Sequence, residues 1–320
     1  MTKYGFHASH EQISPRQLLG DVQRAERAGF EIAMCSDHFA PWSRRQDHSG
    51  FAWSWLGAAL ATTELPLGTV SAPGQRYHPA IIAQASATLA QMFPGRFWVA
   101  LGSGQHMNEH ITGQRWPHKQ HRQERLEECA AIIRALHRGE EVTHSGHVVV
   151  DRARLYSLPA QPPALIAPAL SPGTAERAAA WADGLITIND DPDSLRQIID
   201  AYRGAGGTGP LAIQVHLSVA DSMDAAWAMA RDQWQNHALA KPLQDDLPIP
   251  EYFDMAGRHV PDDEVADAVL ITDDVAQLVG WLREYAELGF EEIYLHHVGQ
   301  DQRPFLDLAE SELLPALRGA

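Results

Sequence analysis

The sequence predicts a (β/α)8 barrel, a fold in which parallel strands alternate with helices around a closed sheet. Short apolar runs of strand length alternate with amphipathic stretches of helical period along almost the whole chain. The length of 320 residues suits one such barrel with insertions. Polar and ionisable residues also concentrate in the segments that follow the early strands. We therefore expect a single domain over residues 1–320.

The first part of the chain contains four predicted strand–helix units. Ser14 and Pro15 predict the start of the first helix, because Ser caps helices and Pro is favoured in the first turn. Gly29 predicts its end. The predicted strands are 3–8, 30–36, 67–72 and 96–101, and the later helices are 51–62, 80–92 and 118–137.

The second part resumes the alternation after an insertion. Residues 140–157 contain two strand-like runs around a Ser-Gly turn and predict a β-hairpin outside the main sheet. Residues 238–263 are rich in Pro and Asp and predict a loop excursion over one end of the barrel. The remaining strands are 164–168, 184–188, 212–218 and 292–297, with a helix opening at Ser171 and others at 193–202, 222–235, 272–288 and 304–317.

Composition excludes several classes of protein. The formal net charge of -16 argues against nucleic acid or an anionic membrane surface as a partner. The two cysteines, Cys35 and Cys129, cannot form a disulfide scaffold or a spaced zinc site. No apolar run approaches the length of a membrane span, and the N-terminus has no basic and apolar leader. We expect a cytoplasmic enzyme acting on a small molecule.

The predicted active site centres on the loop after the second strand. Asp37 and His38 provide a titratable pair, and Trp42 provides a flat apolar wall. In (β/α)8 barrels, catalytic groups come from the loops at the carboxyl ends of the strands, and this concentration favours an enzyme. The polar residues in such loops are His7, Ser9, His10, Glu11, Asp37, His38, Ser71, Gln75, Arg76, Tyr77, Ser103, Gln105, His106, Asn108, Glu109, His296 and His297.

Metal binding is not expected. His106 and His110 have helical ligand spacing but lack the adjacent Glu of a zinc protease. His144 and His147 lie in the predicted hairpin, away from the barrel end. Gly102-Ser103-Gly104 indicates only that the backbone can approach a planar or phosphorylated group closely.

Several motifs together resemble the bacterial luciferase-like superfamily of flavin- and deazaflavin-dependent oxidoreductases. The resemblance extends nearly end to end. It is strongest to the coenzyme F420-dependent glucose-6-phosphate dehydrogenases and to neighbouring flavinoid oxidoreductases that are suspected not to use F420. The motifs are Ser36-Asp37-His38-Phe39-x-Pro41-Trp42, Gly68-Thr69 with Arg76-Tyr77-x-Pro79, Gly102-Ser103-Gly104 with Asn108-Glu109, and Asp301-Gln302-Arg303-x-Phe305.

Four residues are candidates for catalysis, and the resemblance implies three of them. His38 matches the base that takes the substrate hydroxyl proton, and Trp42 matches the aromatic residue beside the reacting carbon. Glu11 matches a carboxylate that faces the same cavity. Glu109 is a further candidate, although it does not match the family's acid.

The resemblance also implies a cofactor ring in the barrel end. Asp37 and Asn108 would make polar contacts to ring or substrate, and backbone amides of Ser103 and Gly104 would approach the ring. A cis peptide bond, not preceding proline, would lie behind the ring. The expected cofactor-binding residues are Asp37, Val70, Ser71, Ala72, Ser103, Gly104, Gln105, Asn108, Ser171, Gly173 and Thr174, with the cis bond near Val70-Ser71-Ala72.

Three departures from the dehydrogenase pattern affect the predicted function. Gln105 stands where those enzymes have a glutamate assigned as an acid. No Lys or Arg lies between Arg177 and Arg196 or between Arg258 and Arg283, where those enzymes hold the sugar phosphate. Ser171-Pro172-Gly173-Thr174 replaces a Gly-Gly pair near the cofactor tail. It resembles the phosphate-binding segment of FMN-using relatives, but it is equally an ordinary helix cap.

The sequence therefore predicts a flavin-dependent oxidoreductase that uses FMN and acts by hydride transfer or oxygenation on a small non-phosphorylated substrate. The alternative is an F420-dependent alcohol or sugar dehydrogenase or reductase. A third possibility, of another class, is a non-catalytic flavin-binding protein, for which Gln105 is the only indication. By analogy with the family we expect a homodimer.

Overall fold

The structure is a computed structural model that describes residues 2–319. Among these residues, eight parallel strands close into a barrel, which confirms the predicted (β/α)8 fold. The strands are β1 (Lys3–Ala8), β2 (Ile32–Ser36), β3 (Leu67–Ser71), β4 (Phe97–Leu101), β5 (Val142–Ser145), β6 (Val149–Ala153), β7 (Ala164–Pro168), β8 (Gly184–Ile188), β9 (Leu211–Val219), β10 (Leu270–Thr272) and β11 (Glu292–His297). The barrel order is β1, β2, β3, β4, β7, β8, β9 and β11, with β11 returning to β1.

Helices follow the barrel strands and cover the outside of the sheet. Most predicted helices agree with the structure to within one or two residues. The helices are α1 (Pro15–Ala28), α2 (Ala52–Thr62), α3 (Pro79–Met92), α4 (His106–Glu109), α5 (Lys119–His137), α6 (Pro172–Ala178), α7 (Pro192–Gly204), α8 (Met223–Trp234), α9 (Lys241–Asp246), α10 (Pro250–Gly257), α11 (Asp262–Ala268), α12 (Val275–Glu287), α13 (Arg303–Leu308) and α14 (Leu314–Arg318).

Two elements lie outside the regular alternation. Strands β5 and β6 form the predicted antiparallel hairpin as a separate two-stranded sheet. Strand β10 was not predicted and extends the main sheet beside β9. The helix predicted from 272 therefore begins later, at Val275. The Thr272 hydroxyl accepts the Asp274 amide, and the Asp274 side chain then caps α12.

The excursion at 238–263 is helical, so its prediction as a loop was wrong. It forms α9 and α10 and leads into α11. Pro242 and Pro250 lie in the first turns of α9 and α10. Proline is compatible with that position because the missing N–H would have no partner there. These prolines of the excursion therefore mark the starts of helices and do not indicate a loop.

The closing helix is interrupted. Between α13 and α14 the chain forms a π-helical turn at Ala309–Leu313. Pro315 follows this turn and lacks the amide that would continue the regular ladder of i to i−4 hydrogen bonds. The single helix predicted for 304–317 is therefore divided near its end.

Large aromatic side chains fill the barrel interior below the site. Trp98 and Tyr294 pack with ring centroids 5.8 Å apart, and Tyr294 also donates to Glu292 at 2.7 Å. Gly68 and Gly5 provide the space for these rings. A Cβ on Gly68 would collide with Trp98, and one on Gly5 would lie 2.5 Å from the Tyr294 ring. Glycine is thus required here by close packing.

The outer core lies between the strands and the surrounding helices, as expected for this fold. In residues 2–319, no helix combines the length and apolar character that crossing a membrane requires. The two cysteines are buried as free thiols.

Replacing Gly68 with Ala should lower the melting temperature by several degrees, because the added methyl group overpacks the barrel against Trp98. Overpacking typically costs about 1–3 kcal/mol. The matched control is Gly57→Ala in α2, where a Cβ would meet no atom within 4 Å. That variant should melt at or above the wild-type temperature. Equal melting temperatures for the two variants would contradict the assigned packing of Trp98.

Candidate active site

The candidate active site lies at the barrel mouth, the end of the barrel where the carboxyl ends of the strands meet. The loops after β1, β2 and β4 converge there. Glu11 from the first loop faces His38 from the second, and Trp42 lies against His38. Asn108 from α4 accepts hydrogen bonds from the backbone beside His38. The structure therefore brings together the residues that the sequence singled out on separate loops.

A buried carboxylate faces His38. Glu11 Oε1 lies 3.4 Å from His38 Nδ1, and Glu11 Oε2 accepts hydrogen bonds from Ser9 at 3.0 Å and Ser36 at 2.5 Å. Burial opposes ionisation of Glu11, but His38 and the Ser36 hydroxyl hold its pKa below the ordinary value. Burial lowers the pKa of His38, although the Glu11 charge opposes that shift. The pair thus places an ionised carboxylate beside a neutral imidazole, as a general base requires.

Trp42 forms one wall of the mouth. Its ring centroid lies 4.9 Å from that of His38, 4.4 Å from that of His237 and 5.3 Å from that of Phe253. Phe253 belongs to α10, so the helical excursion covers this side of the mouth. Trp42 packs beside His38, and its role beside a cofactor or substrate stays a prediction.

The Asp37 carboxylate forms hydrogen bonds and an ion pair with other side chains of the protein. It accepts hydrogen bonds from Ser71 at 2.7 Å and Tyr77 at 3.1 Å. Arg76 Nη2 lies 3.3 Å from Asp37 Oδ1 and donates to the Asp37 carbonyl at 2.8 Å. These contacts tie the loop after β2 to the loop after β3. Contact of Asp37 or Ser71 with a cofactor ring therefore stays a prediction.

Glu109 also binds Arg76. The Arg76 amide donates to Glu109 Oε2 at 2.6 Å, and Arg76 Nε lies 3.8 Å from Glu109 Oε1. Burial raises the pKa of Glu109, although the Arg76 amide and guanidinium oppose the shift. The carboxyl group packs against Gly104, whose φ of +83° suits glycine. Glu109 therefore joins the loops after β3 and β4, and its catalytic role stays a prediction.

The orientation of the Gln105 amide follows from that of Asn108. Asn108 Oδ1 accepts the Phe39 amide at 2.9 Å, so its Nδ2 must be the donor to Gln105 Oε1 at 3.3 Å. Gln105 Nε2 is then a hydrogen-bond donor. Among the described residues, no group accepts from Gln105 Nε2 or pairs with the half-buried Ser103 hydroxyl. Both groups are available to a planar ligand.

The backbone behind this loop is regular. The peptide bonds of residues 2–319 are all trans, so the cis bond expected near Val70-Ser71-Ala72 is absent from the structure. Val70 and Ser71 remain in parallel pairing with Ala100 and Leu101, and the Ser71 carbonyl accepts the Gly102 amide at 2.8 Å. Continuation of this ladder keeps the strand extended to its end.

Ser171, Gly173 and Thr174 lie at the start of α6, as predicted. The Ser171 and Thr174 hydroxyls are 3.0 Å apart and pair with each other, and Gln123 donates to Thr174 at 3.3 Å. Both hydroxyls already have protein partners. The structure therefore accounts for these residues as a local helix start, and phosphate binding stays a prediction.

The sequence analysis missed an important part of the mouth, formed by His216, Trp234 and His237. His216 pairs in register with His296 on the neighbouring strand, and His237 stacks on Trp234 with centroids 3.9 Å apart. Alternation along β9 could have placed His216 inside the barrel, because Ala212 is an interior residue. His237 could not have been found in this way, since it lies in a 3₁₀ turn beyond α8.

Metal-binding geometry is absent from the part of the chain that the structure describes, where no group of three or more His, Cys, Asp or Glu side chains could hold an ion. His144 lies 2.9 Å from Glu128, and His147 lies 3.4 Å from Glu124. These pairs attach the hairpin to α5.

Comparison with known proteins gives a consistent result. The family model described as luciferase-like monooxygenase matches residues 1–292. The chain is 33% identical over 333 residues to the F420-dependent glucose-6-phosphate dehydrogenase of Intrasporangium calvum, with 100% of both chains covered. It is 35% identical over 329 residues to the protein of the same name from Beutenbergia cavernae, covering 99% and 98% of the two chains.

A solved structure shows the same fold. It is an F420-dependent secondary alcohol dehydrogenase in complex with an F420–acetone adduct, with 30% identity and a TM-score of 0.91, and the match covers 99% of this chain and 100% of the other. The matches extend over the barrel and its insertions. This chain belongs to the luciferase-like family and is an oxidoreductase.

Proposed function

We propose that this protein is a coenzyme F420-dependent dehydrogenase that interconverts a small non-phosphorylated alcohol and the corresponding carbonyl compound. The Glu11–His38 pair beside Trp42 is the observation that carries the proposal. Alcohol oxidation requires a base for the hydroxyl proton, and this pair supplies one at the barrel mouth. The F420-dependent relatives support the choice of reaction.

The relatives favour F420 over FMN, the cofactor that the sequence analysis placed first. F420 accepts or donates a hydride when bound. The loop after β4 fits such a ring, because the Ser103 hydroxyl and Gln105 Nε2 are available as hydrogen-bonding groups. The pairing of Ser171 with Thr174 leaves only one of the two O–H groups to donate to an FMN phosphate at α6, which weakens the argument for FMN.

The tautomer of His38 determines which nitrogen reacts. Glu11 is ionised and faces Nδ1, so a proton on Nδ1 is favoured by attraction to the carboxylate. His38 Nε2 then carries the lone pair that takes the substrate hydroxyl proton. Glu11 stabilises the imidazolium that forms, and Trp42 excludes water from one side of the pair.

A phosphorylated substrate would be poorly held at the mouth. The segment after β8 contributes Asp190 and Asp191, and Asp193 follows in α7. Lys241 reaches this segment from α9, but its Nζ already lies 3.4 Å from Asp190. A phosphate dianion at this segment would therefore compete with these carboxylates for Lys241.

We also propose that the enzyme is a cytoplasmic homodimer. Phe51, Ile81 and Met92 are more than half exposed, and they belong to the early helices α2 and α3 or their ends. Large exposed apolar side chains are common at protein interfaces. Sedimentation as a 35.3-kDa monomer would contradict the dimer.

The proposed function predicts that purified protein retains F420 and reduces it with 2-butanol, measured as loss of the oxidised cofactor's absorbance. Glucose 6-phosphate should be at least about 100-fold poorer in kcat/KM, since Lys241, the cation that reaches the acidic segment after β8, is already paired with Asp190. Retention of FMN without F420 would overturn the cofactor assignment. Efficient use of glucose 6-phosphate would overturn the substrate class.

Replacing His38 with Ala should lower kcat by at least about 100-fold, because the hydroxyl proton loses its acceptor. F420 binding should remain, since it does not depend on this base. The matched control is His259→Ala, which removes an exposed imidazole near the end of α10 and should not change kcat. An unchanged kcat in the His38 variant would remove His38 from the reaction.

Replacing Glu11 with Gln should shift the pH dependence of kcat/KM. His38 acts in its neutral form, so activity falls as the pH drops through the pKa of His38. The Glu11 charge raises that pKa. Its removal should therefore move the acidic limb of the profile to lower pH while the maximal rate falls by about tenfold. An acidic limb at the wild-type pH would contradict the coupling between these residues.

A further inference from the structure

The upper part of the barrel contains a buried set of histidines, here called the imidazole cluster: His7, His38, His216, His237 and His296. The ring centroids of His7 and His296 lie 4.5 Å apart, and those of His216 and His237 lie 5.5 Å apart. Trp42 contacts both His38 and His237. The proposed reaction uses only His38 of this cluster. The other four imidazoles take no part in it.

One chain of hydrogen bonds determines the tautomers of two cluster members. Gln12 Nε2 donates to the Val298 carbonyl at 2.5 Å, so Gln12 Oε1 must be the acceptor in its contact with His296 Nε2 at 2.7 Å. His296 therefore carries its proton on Nε2 and has a lone pair on Nδ1. His216 Nδ1 lies 2.9 Å from that atom and must be the donor.

Because Nδ1 of His216 carries the proton, Nε2 of the same ring is a hydrogen-bond acceptor. Among the described residues, no group donates to it. Four polar atoms of the cluster and its surroundings are also without hydrogen-bond partners and are sealed from solvent, namely His7 Nδ1, His38 Nδ1, Trp234 Nε1 and His237 Nε2. His216 Nε2 is not one of these sealed atoms, although only 3% of the His216 surface is exposed. Buried polar groups are nearly always paired, so this concentration indicates a site for polar ligand atoms.

The cluster is uncharged, which restricts the ligand. Burial lowers the pKa of His7 to about 4 and that of His216 to about 3, and it holds the pKa values of His237 and His296 well below the ordinary value. A neutral imidazole recognises a hydroxyl by hydrogen-bond direction. It offers little attraction to phosphate or carboxylate.

We propose that His216 determines substrate specificity by accepting a hydrogen bond from a second hydroxyl group of a neutral polyhydroxylated alcohol. This inference rests on the proposed function. His38 takes the proton of the reacting hydroxyl, and the hydride of the same carbon passes to oxidised F420. The alcohol becomes a carbonyl compound, and the second hydroxyl stays intact on His216 Nε2. Gln12 and His296 are positioning residues that keep the His216 lone pair in place.

The tautomer can be tested directly on the wild-type protein. In protein labelled with ¹⁵N-histidine, His216 should show a protonated Nδ1 and an unprotonated Nε2 at neutral pH. Comparison with His216→Leu assigns the signals. A protonated Nε2 on His216 would overturn the proposal, whatever the kinetics show.

Specificity can be tested with two alcohols that share a carbon skeleton, 2-butanol and 2,3-butanediol, with F420 as the acceptor. Wild-type enzyme should prefer the diol by about tenfold in kcat/KM, because only the diol fills the His216 acceptor. His216→Leu should lose this preference, so that its kcat/KM values for the two alcohols become equal. The control is His137→Leu, a buried histidine bonded to Ser86 away from the barrel mouth, which should retain the preference.

The outcomes separate the two proposals. Turnover of 2-butanol without a preference for the diol would overturn the role of His216 and leave the proposed function intact. Loss of the preference in both histidine variants would also overturn it, because the effect would then reflect general destabilisation. Failure of wild-type protein to bind F420 would overturn the proposed function and this inference together.

Discussion

The geometry of the mouth depends on one buried cation, the guanidinium of Arg76. It contacts the carboxylate and carbonyl of Asp37, and the Arg76 amide binds Glu109, so that loops from three strands meet at one residue. Loss of this cation would remove a positive charge that faces two buried carboxyl groups and would leave them with neutral hydrogen-bond donors, at a cost of several kcal/mol. His38 follows Asp37 directly in the chain. The position of the proposed base is therefore determined by an ion pair in which it takes no part.

Away from Arg76 and the Glu11–His38 pair, hydrogen-bond direction dominates the electrostatics of the mouth. Burial keeps the imidazoles of His7, His216 and His296 neutral, and amide orientation determines where their protons lie. A site built in this way distinguishes donors from acceptors and has little affinity for anions. This property agrees with a net charge of -16 and with the acidic segment after β8.

The motifs predicted a large part of the candidate site because its residues follow directly after strand ends. Glu11, His38 and Trp42 come from loops whose position is determined by the barrel, and the structure brings them into contact. His237 could not be predicted, because a helix and a turn separate it from its strand. The hydrogen bonds from Ser71 and Tyr77 to Asp37 could not be predicted either, since no local pattern shows which donors surround a buried carboxylate.

By itself, the sequence determined the barrel, because periodicity and capping residues act within each segment and do not depend on distant contacts. It also determined the family, through residues at the ends of early strands. Only the tertiary structure decided the ion pairs of Arg76 and the tautomers of His216 and His296. These features arise between segments far apart in the chain, such as Gln12 and His296, and packing alone selects which atoms meet.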